Sequence, residues 1–334
     1  MLQSDIIADR ETIVFLHGNA SSSIFWKDTM ERIEDDYNVI APDLRGYGKT
    51  EDLLIDATQG FSDQTEDVIS LLDHLGIERF HVAGHSMGGG VVYSLIVNYG
   101  TRILSATLVN PVSPYGFGGT KGVNGEPIRD DFSGTGAGTV NPEFARRIET
   151  KDRSEEDENS SPRLVMNKYF WKPPFRAPNE EELLDGVLEE KIGEKKYPGD
   201  KETSKNWPGF SPGVYGPVNA ASPKYLSGLA ENIIQSSPKP PILWVRGTHD
   251  NIVSDESHFD IGVLGNMGLI EGYPGTDKYP AQPMVSQTRK VLQEYEKESG
   301  SFREALMENT GHTPFIEQPE VFLEQFLKHV KVTS

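Results

Sequence analysis

RFHVAGHSMGGGVVYSLIVNY, residues 79–99, decides how the rest of this chain is read. Residues 80–83 alternate and then run apolar, the pattern of a buried strand, and residues 91–97 read as a buried helix. Between them lies Gly84-His85-Ser86-Met87-Gly88. A serine hydroxyl is a poor nucleophile unless it is held clear of other atoms, beside a base and beside donors for the oxyanion. A tight strand-to-helix turn does this, and glycines two before and two after the serine let the backbones crowd together where a Cβ would clash. Five-residue matches rich in glycine and serine also occur in ordinary loops. The strand before and the helix after are what make Ser86 a candidate nucleophile.

Composition narrows the field. At 334 residues the chain is long enough for one large α/β domain carrying an insertion. Its 51 acidic against 32 basic residues leave a net charge of -19, which repels nucleic acid phosphates and anionic lipid headgroups, so neither is expected as a partner. Cysteine is absent, which excludes disulfides, thiolate zinc sites and a cysteine rival to Ser86. The opening MLQSDIIADRE has neither a cationic nor an apolar leader region, and no run approaches the ~20 apolar residues of a spanning helix. The expected compartment is the cytoplasm, with no membrane contact.

Upstream, TIVFL at 12–16 reads as a short buried strand ending in His17-Gly18-Asn19. In acyl transfer a second oxyanion donor comes from a backbone amide in such a loop, facing the amide of the residue after the nucleophile. That assigns the Asn19 and Met87 N–H groups as the oxyanion hole and leaves His17 to brace the loop. A further strand at 37–41 runs into PDLRGYGKT. HGN after one strand, APDLRGYGKT after the next and GHSMGG after the third, all within ninety residues, resemble the α/β-hydrolase superfamily in register. The resemblance implies an α/β fold with a mostly parallel, doubly wound sheet. It also implies that Asp43 and Arg45 shape a structural turn by a salt link, and that no cofactor or metal is needed.

The remaining catalytic residues follow from the same resemblance. Some members carry the triad acid after the strand at 103–110, but here that position is Asn110. PILWVR at 241–246 restores a buried strand, followed by Gly247-Thr248-His249-Asp250, and Asp250 matches the family's acid position; Asp255 and Asp260 are rivals by proximity. After a last strand at 302–307, Gly311-His312 precedes a terminal helix, PEVFLEQFLKHV, and matches the base. The order Ser86, Asp250, His312 is the order expected of α/β-hydrolases.

Between 111 and 238 the periodicity changes to glycine-rich loops, a charge run and a proline-rich aromatic stretch. This reads as an inserted cap over a core of 1–110 and 239–334, set where specificity loops lie in α/β folds. His85, Tyr115, Trp171 and Trp207 are candidates to line the substrate pocket. Phe117, Tyr169, Phe170, Phe210 and Tyr215 are weaker candidates, most of which should form the cap's own core. Two departures from the family pattern stand out. Only about eleven residues precede the first buried strand, so the sheet is shortened at that edge or the chain starts late. Residues 254–285 form a long glycine- and proline-rich loop beside Asp250, expected to wall the pocket.

The implied activity is hydrolysis of a small or medium apolar carboxylic ester through an acyl-enzyme on Ser86. HGNASSS also resembles a loop of some N-acyl-homoserine lactonases, which makes a lactone the alternative substrate. Carbon-carbon bond hydrolases and perhydrolases keep the same triad and stay open, as does a non-catalytic small-molecule receptor. Haloalkane dehalogenases and epoxide hydrolases resemble the fold with an aspartate nucleophile, which Ser86 argues against.

Overall fold

The apolar runs become one seven-stranded sheet in the computed structural model, which describes residues 1–332; the last two positions of the core segment expected over 239–334 lie outside it. The strands are β1 (Leu2–Gln3), β2 (Thr12–Leu16), β3 (Asn38–Ala41), β4 (Phe80–His85), β5 (Ile103–Val109), β6 (Ile242–Gly247) and β7 (Phe302–Met307). Their order across the sheet is β1-β3-β2-β4-β5-β6-β7. Every pairing is parallel except β1 with β3, so a single two-residue antiparallel strand stands at the edge where a shortened sheet is expected.

Helices cover both faces, which is why the inner strands read as continuous apolar runs. Those used below are α1 (Ser62–His74), α2 (Met87–Tyr99), α3 (Pro142–Glu149), α4 (Pro162–Tyr169), α5 (Glu180–Leu188), α6 (Leu229–Gln235), α7 (Met284–Lys297) and α8 (Pro319–Val332). Side chains alternate along a strand, so β2 feeds two cores. Val14 and Leu16 pack with Leu72 of α1, Val92 of α2, Ile233 of α6 and Leu292 of α7. Ile13 and Phe15 face the other way, onto Trp26, Phe322 and Phe326 of α8. Leu184 and Val187 of α5 belong to that second cluster, so the 111–238 insertion shares a core with the sheet. Its last helix, α6, packs on α2 and α7 in the helix layer.

The long 254–285 segment is not wholly irregular. Asp260 caps a short helix, Ile261–Asn266, accepting the Gly262 amide at 2.6 Å, and α7 begins at Met284. Phe259 packs edge-on against Tyr169 of α4, and Ile261 is buried, while Met267 and Leu269 are exposed. A cavity of about 280 Å³ separates this segment from Gly138, Pro208 and Phe210 of the insertion.

The chain runs from β2 outward to β3 and then returns across the sheet to β4. The strand order therefore reverses between β2 and β4, the place where open α/β sheets bind ligands beyond the strands' carboxyl ends. Because β2 and β4 to β7 are parallel, the segments after them emerge on one edge, carrying His17, Ser86, Asn110, Asp250 and His312.

Candidate active site

Ser86 joins β4 to α2 with φ 55° and ψ -117°, a left-handed conformation that costs a non-glycine residue about 1–3 kcal/mol unless its surroundings hold it. They do. The Ser86 amide donates to Val109 O at 2.9 Å, and the Ser86 carbonyl accepts the Gly89 and Val112 amides. The flanking glycines are required by contact: a Cβ on Gly84 would strike the Gly88 carbonyl, and one on Gly88 would lie 2.5 Å from the Leu16 and His17 carbonyl oxygens. A Cβ on Gly18 would lie 2.9 Å from Ser86 Cβ, so the loop after β2 runs directly against Ser86.

The structure brings His312 and Asp250 together. His312 Nδ1 donates to Asp250 Oδ2 at 2.8 Å with both side chains buried, while Asp250 Oδ1 accepts the Ile252 and Val253 amides at 2.8 and 3.0 Å. That tautomer leaves His312 Nε2 free to take a proton. Asp255 and Asp260 are occupied elsewhere, Asp255 by Ser286 and Asp260 by the amides of Gly262 and Gln282.

Two residues that sequence reasoning did not select hold the histidine loop. Asn110 stands at the tip of β5; its Nδ2 donates to His312 O at 2.8 Å and its Oδ1 accepts the Gly247 amide at 3.1 Å, tying β5 and β6 to the loop. Glu317 accepts the Gly311 amide at 2.6 Å and the Lys172 amide at 2.9 Å, so one carboxylate joins the histidine loop to the insertion. Burial, reinforced by Asp250 nearby, pushes the Glu317 carboxyl up to about 7. The position of Asn110 at a strand end was a usable signal; Glu317, the last residue of a short helix at Pro314–Glu317, offered none.

The Asn19 loop is braced by His17, as expected. Its Nε2 accepts the Leu44 amide at 2.9 Å and its Nδ1 donates to Gly18 O at 2.8 Å; burial holds the ring neutral, with a pKa of about 4. Tyr47 donates to Asn19 Oδ1 at 2.7 Å and touches Met87 Sδ at 3.5 Å. The salt link expected between Asp43 and Arg45 is not formed. Arg45 pairs with Asp67 at 2.6 Å and Asp63 at 3.4 Å on α1, while Asp43 accepts the Ser23 and Lys49 amides and the Met1 ammonium at 3.0 Å. Among the described residues, no group of three or more His, Asp or Glu side chains could hold a metal ion.

A profile of the alpha/beta hydrolase family matches residues 13–325. The chain belongs to that family. A 108-residue stretch is 40% identical to the dihydrolipoyllysine-residue acetyltransferase component of the acetoin cleaving system of Cupriavidus necator, covering 32% of this chain and 28% of that protein. A 105-residue stretch is 30% identical to the 2-hydroxy-6-oxo-6-phenylhexa-2,4-dienoate hydrolase of Comamonas testosteroni, covering 30% and 36%. These matches thus span about a third of the length of such relatives. Over the whole fold, a thermophilic esterase from Thermogutta terrifontis superposes with a TM-score of 0.56 at 17% identity, covering 97% of this chain and 90% of the other.

In this α/β-hydrolase the four expected pocket residues each have defined partners. His85 is buried behind His312: its Nε2 donates to His312 O at 2.9 Å and its ring lies 4.6 Å from the His312 ring, so it supports that histidine. Trp171 is 1% exposed, with its indole N–H on Asn167 Oδ1, and its backbone presses on Gly311. Tyr115 packs over Gly125 and the α2–α6–α7 core. Trp207 turns toward the long loop, donating to Glu271 O at 2.9 Å between Tyr273 and Tyr279. Aromatic type alone did not reveal which apolar groups each ring would find. No helix among the described residues is long and apolar enough to cross a membrane.

Proposed function

We propose that this hydrolase cleaves a carboxylic ester of a small or medium apolar substrate through an acyl-enzyme on Ser86. The observation that carries the reading is the buried 2.8 Å bond from His312 Nδ1 to Asp250, on the sheet edge from which the strained Ser86 turn also emerges. His312 Nε2 takes the Ser86 proton as Oγ attacks the carbonyl carbon, and Asp250 stabilises the imidazolium. The Asn19 and Met87 amides receive the oxyanion, each contributing roughly 3 kcal/mol of transition-state stabilisation. His312 then returns the proton to the leaving alcohol and activates the water that hydrolyses the ester of Ser86.

Residues 111–238 act as a cap. Thr313, next to the base, donates both its amide and its hydroxyl to Phe170 O at 2.7 Å, which supports a cap seated on the histidine loop. A fluorophosphonate probe tests the nucleophile: labelling of the intact chain but not of Ser86→Ala is expected, and an unlabelled intact chain overturns the reading. A panel of p-nitrophenyl esters and lactones of graded chain length then separates ester from lactone cleavage. The stretch resembling a dienoate hydrolase makes a vinylogous 1,5-diketone a useful third member of the panel, to test carbon-carbon cleavage.

A further inference from the structure

Glu190 follows α5 in the inserted segment and is 5% exposed, and neither of its carboxyl oxygens touches solvent or has a hydrogen-bond partner. An ionised carboxylate in that position would be left without compensation, at a cost of several kcal/mol. Burial accordingly pushes its pKa well above the usual carboxylate range. A buried polar group of this kind calls for an explanation in what surrounds it.

Its surroundings are the back of the oxyanion loop. The Ala20 amide and the Tyr47 hydroxyl lie near the carboxyl without hydrogen-bonding geometry to it, and buried Tyr197 of the same segment is also near. Tyr47 hands the contact on, since its hydroxyl donates to Asn19 Oδ1 at 2.7 Å and meets Met87 Sδ at 3.5 Å, the side chains of the two residues whose amides form the proposed oxyanion hole. The next residue seats the segment: the Lys191 amide donates to Gly46 O at 3.0 Å. Ala20, directly after the Asn19 donor, has φ 47°, a left-handed conformation that persists in a non-glycine residue only where its neighbours hold it.

We propose that Glu190 is a positioning residue for the oxyanion hole: carried on the inserted segment, it holds Tyr47 and the turn at residues 19–20 so that the Asn19 and Met87 amides are aligned when residues 190–197 are seated on the Gly46–Tyr47 loop. The inference rests on the serine-hydrolase reading of Ser86. Burial disfavours an anion behind the loop, which would oppose the negative charge that develops on the substrate oxygen. Alignment of these donors is felt in the transition state more than in the bound ester, so its loss falls on kcat and leaves KM nearly unchanged.

The test compares Glu190→Ala and Glu190→Gln in the full chain, with p-nitrophenyl ester kinetics normalised to sites titrated by the fluorophosphonate. Glu190→Ala should lower kcat about 10- to 100-fold with KM within about twofold, and Glu190→Gln, the neutral isostere, should stay within about fivefold of the parent. If Glu190→Ala does not fold, Tyr47→Phe supplies the same comparison, with a smaller loss of kcat expected. Unchanged kcat per titrated site with only a lower melting temperature overturns the proposal in favour of packing. A rise in KM alone overturns it in favour of substrate contact. An unlabelled parent enzyme instead removes the serine-hydrolase reading beneath it, so the two failures are distinct.

Discussion

Asp250 accepts two backbone amides on one oxygen and the His312 ring on the other, so it is held in one orientation from which it selects the histidine tautomer. Replacing it by Asn puts an amide N–H where an acceptor is needed and favours the wrong tautomer. Asp250→Asn should therefore lower kcat by about 10⁴-fold while the protein still folds, and combining it with Ser86→Ala should cost little more than Ser86→Ala alone, because the triad acts as a unit. Steady-state kinetics with circular dichroism checks this, and near-normal turnover would remove Asp250 from the mechanism. Glu317 makes a prediction in pH. Its carboxyl is raised from 4.5 to about 7, mainly by burial, so the folded state binds that proton more tightly than the unfolded state does. Its contribution to stability is then greatest below about pH 4.5 and falls as pH rises through about 7. Melting temperature measured from pH 4.5 to 8 should fall more steeply in the parent than in Glu317→Gln, which has no proton to lose; parallel profiles would count against the assignment.

At the level of elements, the polar composition of NEEELLDGVLEEKIGEKK hides how α5 packs. Leu183, Leu184, Val187 and Leu188 line one side of the helix and are buried in the cluster that includes Phe15 and Trp26, while Glu181 and Asp185 reach Arg153 in the exposed ion pairs of the other side. Such exposed pairs contribute little, against about 1.5–3 kcal/mol for each apolar side chain buried. Hydrogen exchange should accordingly protect α5 nearly as long as β4, while residues 118–135, turns rich in left-handed glycine, exchange early. Early exchange throughout 111–238 would indicate a lid that opens as a whole and would contradict the shared core.

Over the whole molecule the net charge of -19 acts against compaction, while the ion pairs on its surface act for it. Both weaken in salt, and their ranges decide which loss is felt more. Raising salt from about 0.01 M to about 1 M shortens the Debye length from ~30 Å to ~3 Å, which removes repulsion between distant carboxylates before it weakens contacts such as Arg163 with Glu180 at 2.6 Å. The melting temperature should rise with sodium chloride, as differential scanning fluorimetry would register. A fall would mean that the ion pairs outweigh the repulsion.

What this sequence determined by itself was local in origin. The strand at 12–16 stands where its apolar run stands, because a strand buried on both faces is apolar almost throughout. The glycines around Ser86 and after His17 were legible because only a residue without a Cβ fits where two backbones meet. The order of Ser86, Asp250 and His312 along the chain came with the family resemblance. What the tertiary structure decided were partnerships between residues far apart in the chain. Asn110 reaches His312, Glu317 reaches Lys172, Arg45 turns to α1 instead of Asp43, and Trp207 turns to the long loop. Each of these choices depends on which donors, acceptors or apolar groups lie within a few ångströms once the sheet has closed. A side chain's type states what it can bind, and only the fold states what it meets.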